Sequence, residues 1–251
     1  MNLFAYRIPP VFSLLIWIAL WEIAGQLDLA FILPPFSAVV VQLVILIQRP
    51  DFQAAALQTF ESFVIGMAIA IVAGVALGFL MGRNRIANSV LGMWVNIFAS
   101  APLSSLVPVL MLLFGLGQTT IIVTVVLFAT WIIALDTYAG VRHISPSLAE
   151  MGLSFGASRW QLLSKVLFWA ALPEILAGIR MGLIRAVKGI VIGQLLVSVV
   201  ALGRLFSTFS DNFQFPEFWA LTIILFVFAL GFSSAVGWLE HKVEYYAGSR
   251  I

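Results

Sequence analysis

Cysteine is absent from the 251-residue chain, and histidine occurs only twice, at His143 and His241. Without cysteine there is no disulfide, no thiolate metal site and no cysteine nucleophile. Two histidines are too few for a histidine-based metal cage. We therefore predict no metal site in this chain. We also predict no catalytic residues, because the sequence shows no nucleophile constellation and no paired intramembrane carboxylates.

Charge is also scarce, because Asp, Glu, Lys and Arg together make up 10% of the residues, against roughly 25% in a soluble domain. Hydrophobic residues make up 62%, and the mean hydropathy is +1.10. A soluble globule of this size cannot hide so much apolar surface. The composition excludes a soluble enzyme, a disordered protein and a nucleic-acid-binding module. It predicts an integral membrane protein surrounded by the lipid bilayer.

Apolar runs long enough to cross a bilayer, which takes ~20 residues, recur along the chain. Six spans are predicted, at about residues 11–25, 57–82, 86–113 with a break, 118–140, 174–200 and 217–240. The sequence thus predicts an all-α integral membrane protein with one transmembrane domain, residues 1–251. A shorter apolar segment, residues 36–48, is predicted to be an interfacial helix. The first span could also be a signal peptide, but no small-residue cleavage site follows it, so we expect it to be retained.

Basic residues collect on one predicted side of the membrane. With the N-terminus inside, all but two of the 13 Lys and Arg residues fall on cytoplasmic segments or adjoining helix ends, including Arg7 and Arg250. Arg49 and Arg204 fall outside. Because positive charge favours the cytoplasmic side, both termini and the long connection 141–173 are predicted to be cytoplasmic.

Small residues recur every four positions in two of the predicted spans. They are Gly66, Ala70, Gly74, Gly78 and Gly82 in the second span, and Gly178, Gly182 and Ala186 in the fifth. Such stripes let helix backbones approach closely in lipid, so they predict tight helix–helix seams. The alternative is the general enrichment of glycine in membrane helices.

The third span is interrupted by Pro102 and Pro108 with serines between them. Proline removes a backbone donor and breaks or kinks a helix. Irregular backbone at membrane depth is tolerated where it lines a wet cavity. The sequence leaves two structures open, a broken helix beside a cavity and a simple proline kink.

Polar and ionisable residues within the spans need a partner or a wet surface. We predict a structural ion pair between Asp136 and either Arg185 or Lys188. The candidate residues of a polar translocation pathway are Asn96, Ser100, Ser104, Gln194 and Ser198. The alternative for these residues is interhelical hydrogen bonding.

The connection 141–173 begins with a short helix whose start has two candidate caps. Ser147 and Glu150 have the spacing of a capping box. Ser145, which precedes a proline, is the alternative N-cap of the same helix. Either cap predicts a helix that ends near residue 155.

A turn and a second capped helix follow in the same connection. Gly156 is suited to the left-handed conformation that ends a helix. Ser158 and Gln161 have the spacing of a second capping box. The segment is therefore predicted to be a helix–turn–helix projecting from the cytoplasmic face, which is typical of a docking element.

This segment and its flanks resemble the EAA loop of ABC importer permeases. The residues that carry the resemblance are Glu150-Met151-Gly152, Gly156 and Ala171-Leu172-Pro173. Residues 156–161 are most similar to the nitrate/sulfonate/taurine-type branch, and segments 33–39, 114–117 and 137–141 also match it. Among the departures from the branch, two bear on the substrate: Asp136 stands where asparagine is common, and Gln194 stands where glutamate is common. These departures weaken a substrate assignment taken from the branch.

The resemblance implies a type I ABC importer permease fold with six transmembrane helices and short coupling helices. It also implies a prokaryotic inner membrane, a dimer with a second copy or a paralogue, two cytoplasmic ATPases and an extracytoplasmic substrate-binding protein. The residues implied in ATPase docking are Glu150, Gly156, Ala157, Ser158, Arg159 and Gln161.

The chain is predicted to be a transport subunit and not an enzyme. It contains no G-x-x-x-x-G-K-[ST] phosphate loop, so ATP and Mg would be bound by the partner ATPase and no cofactor by this chain. The expected cargo is a small anion such as a sulfonate or nitrate, or a small organic compound such as a vitamin precursor or aromatic acid. The alternative function is an ion-coupled secondary transporter, which is expected to show internal repeats with discontinuous helices in both halves.

Overall fold

The computed structural model describes residues 10–247, with side chains from residue 12 to 228 and a few beyond. Arg7 and Arg250, which the charge pattern assigns to the cytoplasm, lie outside the described residues. The eleven α-helices of the described chain are α1 Pro10–Gln26, α2 Phe36–Gln48, α3 Pro50–Arg83, α4 Arg85–Ser100, α5 Val107–Phe114, α6 Gln118–His143, α7 Pro146–Ser154, α8 Arg159–Gln161, α9 Phe168–Val197, α10 Ala201–Asp211 and α11 Phe215–Ala247. A 3-10 turn, Leu103–Leu106, precedes α5, and a π-helical segment, Leu162–Leu167, joins α8 to α9.

The core of the molecule is a three-helix layer in which α6 lies between α3 and α9. Ile133 of α6 is fully buried and contacts both neighbours. A side chain at Gly74 of α3 would place its Cβ 2.8 Å from the Cβ of Ile133, and one at Gly182 of α9 would lie 2.6 Å from its Cγ1. Both stripes therefore face α6, and at these two glycines they lie so close to it that a larger side chain would collide with Ile133. The predicted tight seams are confirmed.

Two helices, α3 and α6, are each long and apolar enough to cross a bilayer. Two pairs of helices, each bent at a short break, are also long and apolar enough when each pair is taken as one span. They are α4 with the segment Leu103–Phe114, and Arg159–Val197 with α10. The other apolar segments with described side chains are Phe12–Gln26 of α1, Phe36–Gln48 of α2 and Phe215–Phe228 of α11, and each has 10–17 residues. The fold is thus an all-helical membrane protein with 2–4 candidate spans.

The predicted third span is a break and not a simple kink. The axes on the two sides of Ala101 and Pro102 differ by 96°. Pro102 precedes the 3-10 turn, and Pro108 lies in the first turn of α5, where its missing N–H removes no helical bond. The two prolines therefore separate two helices that run nearly at right angles.

The predicted interfacial segment 36–48 is α2, with the same bounds. Its Val39 and Leu46 are buried in a cluster with residues of α10 and α11. Glu22 near the end of α1 accepts hydrogen bonds from the backbone N–H of Ser37 at 2.8 Å and from its hydroxyl at 2.9 Å. This carboxylate satisfies a free donor at the start of α2 and ties the first two helices together.

The short helix α10 lies over the end of α9. The chain between them turns through Ser198 and Ala201, whose φ values of +51° and +53° are left-handed. Gly203 of α10 packs directly against the backbone carbonyl of Gln194. Because a Cβ at Gly203 would collide with that carbonyl, α10 covers Gln194 closely.

Candidate coupling and translocation sites

The first helix of the predicted docking element begins one residue after Ser145. Pro146 occupies the first helical position and fixes the start there. The capping box predicted for Ser147 and Glu150 is therefore wrong, because Ser147 already lies inside the helix. Neither serine caps a backbone N–H of α7; instead, the hydroxyls of Ser145 and Ser147 lie 2.6 Å apart.

The turn and the second cap are as predicted. Gly156 has a φ of +77°. The N–H of Gly156 donates to the carbonyl of Leu153 at 2.9 Å, and the N–H of Ala157 donates to the carbonyl of Gly152 at 3.1 Å. These two hydrogen bonds form a Schellman motif. In the capping box, the N–H of Ser158 donates to Oε1 of Gln161 at 2.9 Å, and the N–H of Gln161 donates to Oγ of Ser158 at 3.3 Å. We call residues 145–161 the coupling knob.

The coupling knob is anchored to the core helices. A Cβ at Gly152 would lie 2.8 Å from Cδ1 of Leu162, so α7 packs closely on the π-helical segment. Leu162 in turn is buried in a cluster with Val141 of α6 and with Ala171 and Ile175 of α9. Since these contacts are close-packed, a displacement of the knob would move the adjoining ends of α6 and α9 with it.

Sequence reasoning missed the apolar surface of the knob. Phe155 is 85% exposed and Trp160 is 72% exposed, and they flank the turn at Gly156. Met151 and Leu153 are exposed beside them. Large exposed apolar and aromatic residues mark interaction surfaces. The signal in the sequence was two aromatic residues beside a turn glycine in a well-capped loop.

No salt bridge joins Asp136 to Arg185 or Lys188 in the described structure, although Arg185 lies close enough for its charge to attract that of Asp136. Arg185 instead donates from Nη1 to the carbonyl of Ala99 at 2.7 Å. Lys188 is exposed, and neither Arg185 nor Lys188 lies within 4 Å of a carboxylate of the described residues. The physical reason is the break after α4, which leaves the last carbonyls of that helix without intrahelical donors. A guanidinium satisfies such a carbonyl with a charge-assisted hydrogen bond.

Gln194 is 1% exposed and makes an interhelical hydrogen bond. Its Nε2 donates to Oγ1 of Thr59 at 2.7 Å, and the Thr59 hydroxyl donates to the carbonyl of Ala55 at 2.9 Å. The Oε1 atom of Gln194 is buried and has no partner among the described residues. Ser198 ends α9 in the left-handed conformation, with its hydroxyl bonded to the carbonyl of Leu195. In this structure, Gln194 links α9 to α3 beneath α10.

The other predicted pathway residues, Asn96, Ser100 and Ser104, are exposed on the surface of the subunit. Asn96 donates to the carbonyl of Gly92 at 2.7 Å within its own helix. The structure therefore separates the predicted pathway residues, because these three face outward from α4 and its break while Gln194 is buried between α3 and α9.

Comparison with known proteins identifies the family. Residues 66–245 match the model of the family described as binding-protein-dependent transport system inner membrane component. The chain is 33% identical over 129 residues to the carnitine transport permease protein OpuCD of Listeria monocytogenes, covering 51% of this chain and 57% of that protein. It is 28% identical over 189 residues to the taurine transport system permease protein TauC of Escherichia coli (strain K12), covering 73% and 69%.

A further relative is the riboflavin transport system permease protein RibX of Chloroflexus aurantiacus, 32% identical over 139 residues, covering 55% of this chain and 52% of that protein. The chain thus matches little more than half the length of two of these three relatives.

A structure of the MetNI methionine ABC transporter in an inward-facing conformation aligns with a TM-score of 0.59 and 23% identity, covering 75% of this chain and 92% of that one. An amino acid ABC transporter structure aligns with a TM-score of 0.61 and 17% identity, covering 77% and 94%. These structures show the fold. The chain therefore belongs to the family of binding-protein-dependent transport system inner membrane components, which are ABC transporter permeases and not enzymes.

Proposed function

We propose that the chain is the permease subunit of an ATP-driven importer in a prokaryotic inner membrane. Two such subunits, copies or paralogues, would enclose the solute pathway between them. Two cytoplasmic ATPases would bind ATP and Mg, and an extracytoplasmic protein would deliver the solute. The whole chain, residues 1–251, would form one transmembrane domain with both termini in the cytoplasm.

The coupling knob carries this proposal. Its capped helices hold Ala157, Ser158 and Arg159 on the turn, and Glu150 and Gln161 on either side. Phe155 and Trp160 beside the turn supply the apolar contact area that a partner protein would bury. Because the knob packs against α6 and α9, ATPase closure would move these helices as a rigid body and alternate the access of the pathway.

Six spans remain our proposal for the topology. Four would be α3, the broken pair around Pro102, α6 and the bent pair of α9 and α10. The other two would be α1, whose 17 residues reach ~26 Å, and α11, whose 33 residues reach ~50 Å at 1.5 Å per residue. The location of Arg49 and Arg204 near the same end of α3 supports a common outer face.

The surface of the subunit supports a dimer. Apolar side chains are exposed on every side of α1, among them Trp17 and Leu20, and this helix has few contacts within the subunit. Asn96, Ser100 and Ser104 are exposed on α4 and its break, and polar groups are costly against lipid. A second subunit facing α4 would enclose them in the pathway.

The named substrates of the relatives differ, and they support the two cargo classes proposed here. A taurine permease among them favours a small sulfonate, and our proposal extends to other small anions such as nitrate. A riboflavin permease favours a small organic compound such as a vitamin precursor or an aromatic acid. The carnitine relative adds a small zwitterion to the compounds worth testing.

The test is reconstitution in proteoliposomes with the ATPase and the binding protein of the same transport system. Uptake of labelled taurine, carnitine or riboflavin should require ATP. Trp160→Ala should reduce uptake and ATPase association, whereas Trp169→Ala, an exposed tryptophan outside the knob, should leave both near the wild-type level. Uptake driven by an ion gradient without the ATPases would contradict the proposal and favour ion-coupled secondary transport.

A further inference from the structure

A cavity of about 480 Å³ opens where the start of α3, the helix α10 and the loop before α11 meet. We call it the outer cavity. Its polar lining consists of Arg49, Asp51, Gln58, Arg204, Thr208 and Gln214. Both basic residues that the charge pattern assigns to the outside therefore line one cavity, although 155 positions separate them along the sequence.

One of these two charges is neutralised within the cavity wall. Arg49 donates from Nε and Nη2 to the two carboxylate oxygens of Asp51, at 3.0 and 2.6 Å. The hydrogen bond to Asp51 raises the pKa of the Arg49 guanidinium, with a smaller contribution from the charge of Glu217. The guanidinium also lies 5.7 Å from the ring centre of Phe209. Arg49 is thus held in place and contributes no net charge together with Asp51.

The second charge is uncompensated. Arg204 is exposed, and none of the carboxylates among the described residues lies within 4 Å of its guanidinium. Asp211 on the same helix accepts a hydrogen bond from Ser207 instead. Glu217 and Asp211 do not line the cavity. The lining therefore carries one unpaired positive charge.

The rest of the lining suits a small organic anion. The side-chain amides of Gln58 and Gln214 have no hydrogen-bond partner in the described part of the chain, so their N–H groups are available as donors. Ala54, Ala55, Leu205 and Phe209 form an apolar wall. A guanidinium binds the planar or tetrahedral oxygens of carboxylates and sulfonates through paired N–H donors.

We propose that the outer cavity binds the sulfonate or carboxylate group of a small organic anion, with Arg204 as its charged donor. The assignment of this face to the outside rests on the proposed function. The site lies against α10, which covers Gln194.

The absence of cysteine makes this site directly testable by charge-selective labelling. Thr208→Cys, on the cavity wall, is treated in membrane vesicles with a sulfonate-bearing and a trimethylammonium-bearing methanethiosulfonate. After correction for their rates with a free thiol, the anionic reagent should react about five- to tenfold faster, as one nearby guanidinium at the protein surface implies. In Thr208→Cys with Arg204→Gln, the ratio of the anionic to the cationic labelling rate should fall close to one. In Thr208→Cys with Asp51→Asn, which keeps Arg204, the ratio should rise above that of Thr208→Cys alone.

Ser210→Cys provides the matched control, because Ser210 is exposed on the same helix but does not line the cavity. Its reagent preference should not respond to Arg204→Gln. Excess methanesulfonate should slow labelling of Thr208→Cys and leave Ser210→Cys unchanged. A preference at Thr208→Cys that survives Arg204→Gln would overturn the proposal. If the purified binding protein slowed labelling of Thr208→Cys while methanesulfonate did not, the proposal would also be overturned. That result would indicate that the cavity binds an acidic side chain of the binding protein.

The labelling requires neither ATP nor uptake. A negative result with intact ATP-dependent uptake would therefore reject the anion site alone. A charge preference with no ATP-dependent uptake would reject the proposed function and leave the site standing.

Discussion

At the scale of single residues, a substitution at Gly156 should impair coupling to the ATPase without preventing the protein from folding. Its φ is +77°, and nothing lies within 4 Å of where a Cβ would stand. A substitution there is opposed by backbone strain alone, on the order of 1–3 kcal/mol for a β-branched residue. The strain falls on the turn of the coupling knob, far from the helical core.

We expect Gly156→Val to insert in the membrane normally and to lose uptake. Gly156→Asn is the control, because asparagine tolerates the left-handed conformation, and it should retain most activity. The measurements are uptake in proteoliposomes and the amount of ATPase that copurifies. Wild-type uptake with full ATPase association in Gly156→Val would show that the knob is not the coupling element.

Arg185 gives a second prediction at this scale. Because its guanidinium satisfies the carbonyl of Ala99, Arg185→Ala should lower the free energy of unfolding by about 1.5–3 kcal/mol, the typical contribution of a hydrogen bond to a charged group. Asp136→Asn should have a smaller effect, since Asp136 makes no salt bridge or side-chain hydrogen bond with the described residues. Thermal unfolding of both variants in detergent tests this, and an equal loss in the two would restore the predicted ion pair.

At the scale of helices, the fold depends on how closely α3 and α9 approach α6. A Cβ at Gly74 would lie 2.8 Å from the Cβ of Ile133 and 2.9 Å from the carbonyl of Thr130. Neither atom is the end of a flexible side chain, so the helices themselves would have to separate. The seam therefore resists any enlargement at Gly74.

Gly74→Val should destabilise the protein by about 1–3 kcal/mol, which is typical of an overpacked core. Gly231→Ala on α11 is the control, because nothing lies within 4 Å of a Cβ there. Adding Ile133→Ala to Gly74→Val should recover part of the loss by making room in the seam. Thermal unfolding checks all three variants, and a wild-type midpoint for Gly74→Val would contradict the packing of α3 on α6.

At the scale of the whole molecule, the orientation in the membrane connects the knob with the outer cavity. The knob follows α6, and the outer cavity lies at the start of α3 and on α10. If the knob meets cytoplasmic ATPases, the cavity must face the other side of the membrane. One labelling experiment tests both assignments together.

Single cysteines at Ser158 and Asn212, both exposed, should label from opposite sides. A membrane-impermeant maleimide should reach Ser158→Cys only from the cytoplasm and Asn212→Cys only from outside. The cysteine-free parent is the blank, and labelling after detergent treatment shows that both thiols are reactive. Labelling of Ser158→Cys from outside would overturn the orientation and the ATPase assignment.

The sequence by itself determined the features that depend on neighbours along the chain. Composition established a membrane protein, because no soluble fold hides so many apolar side chains. The bounds of α2, the left-handed Gly156 and the capping box of Ser158 and Gln161 followed from local backbone chemistry. The glycine stripes predicted close seams, since a helix repeats its faces at fixed spacing.

Only the tertiary structure decided which groups meet across the bundle. Charge and depth suggested that Arg185 would pair with Asp136, but the break after α4 leaves the carbonyl of Ala99 without a donor, and that carbonyl takes the guanidinium. In the same way, Arg49 and Arg204 come together in one cavity because α10 folds back over the start of α3. Such partners are determined by how helices that are distant in the sequence pack together. They therefore cannot be predicted from the spacing of residues along the chain.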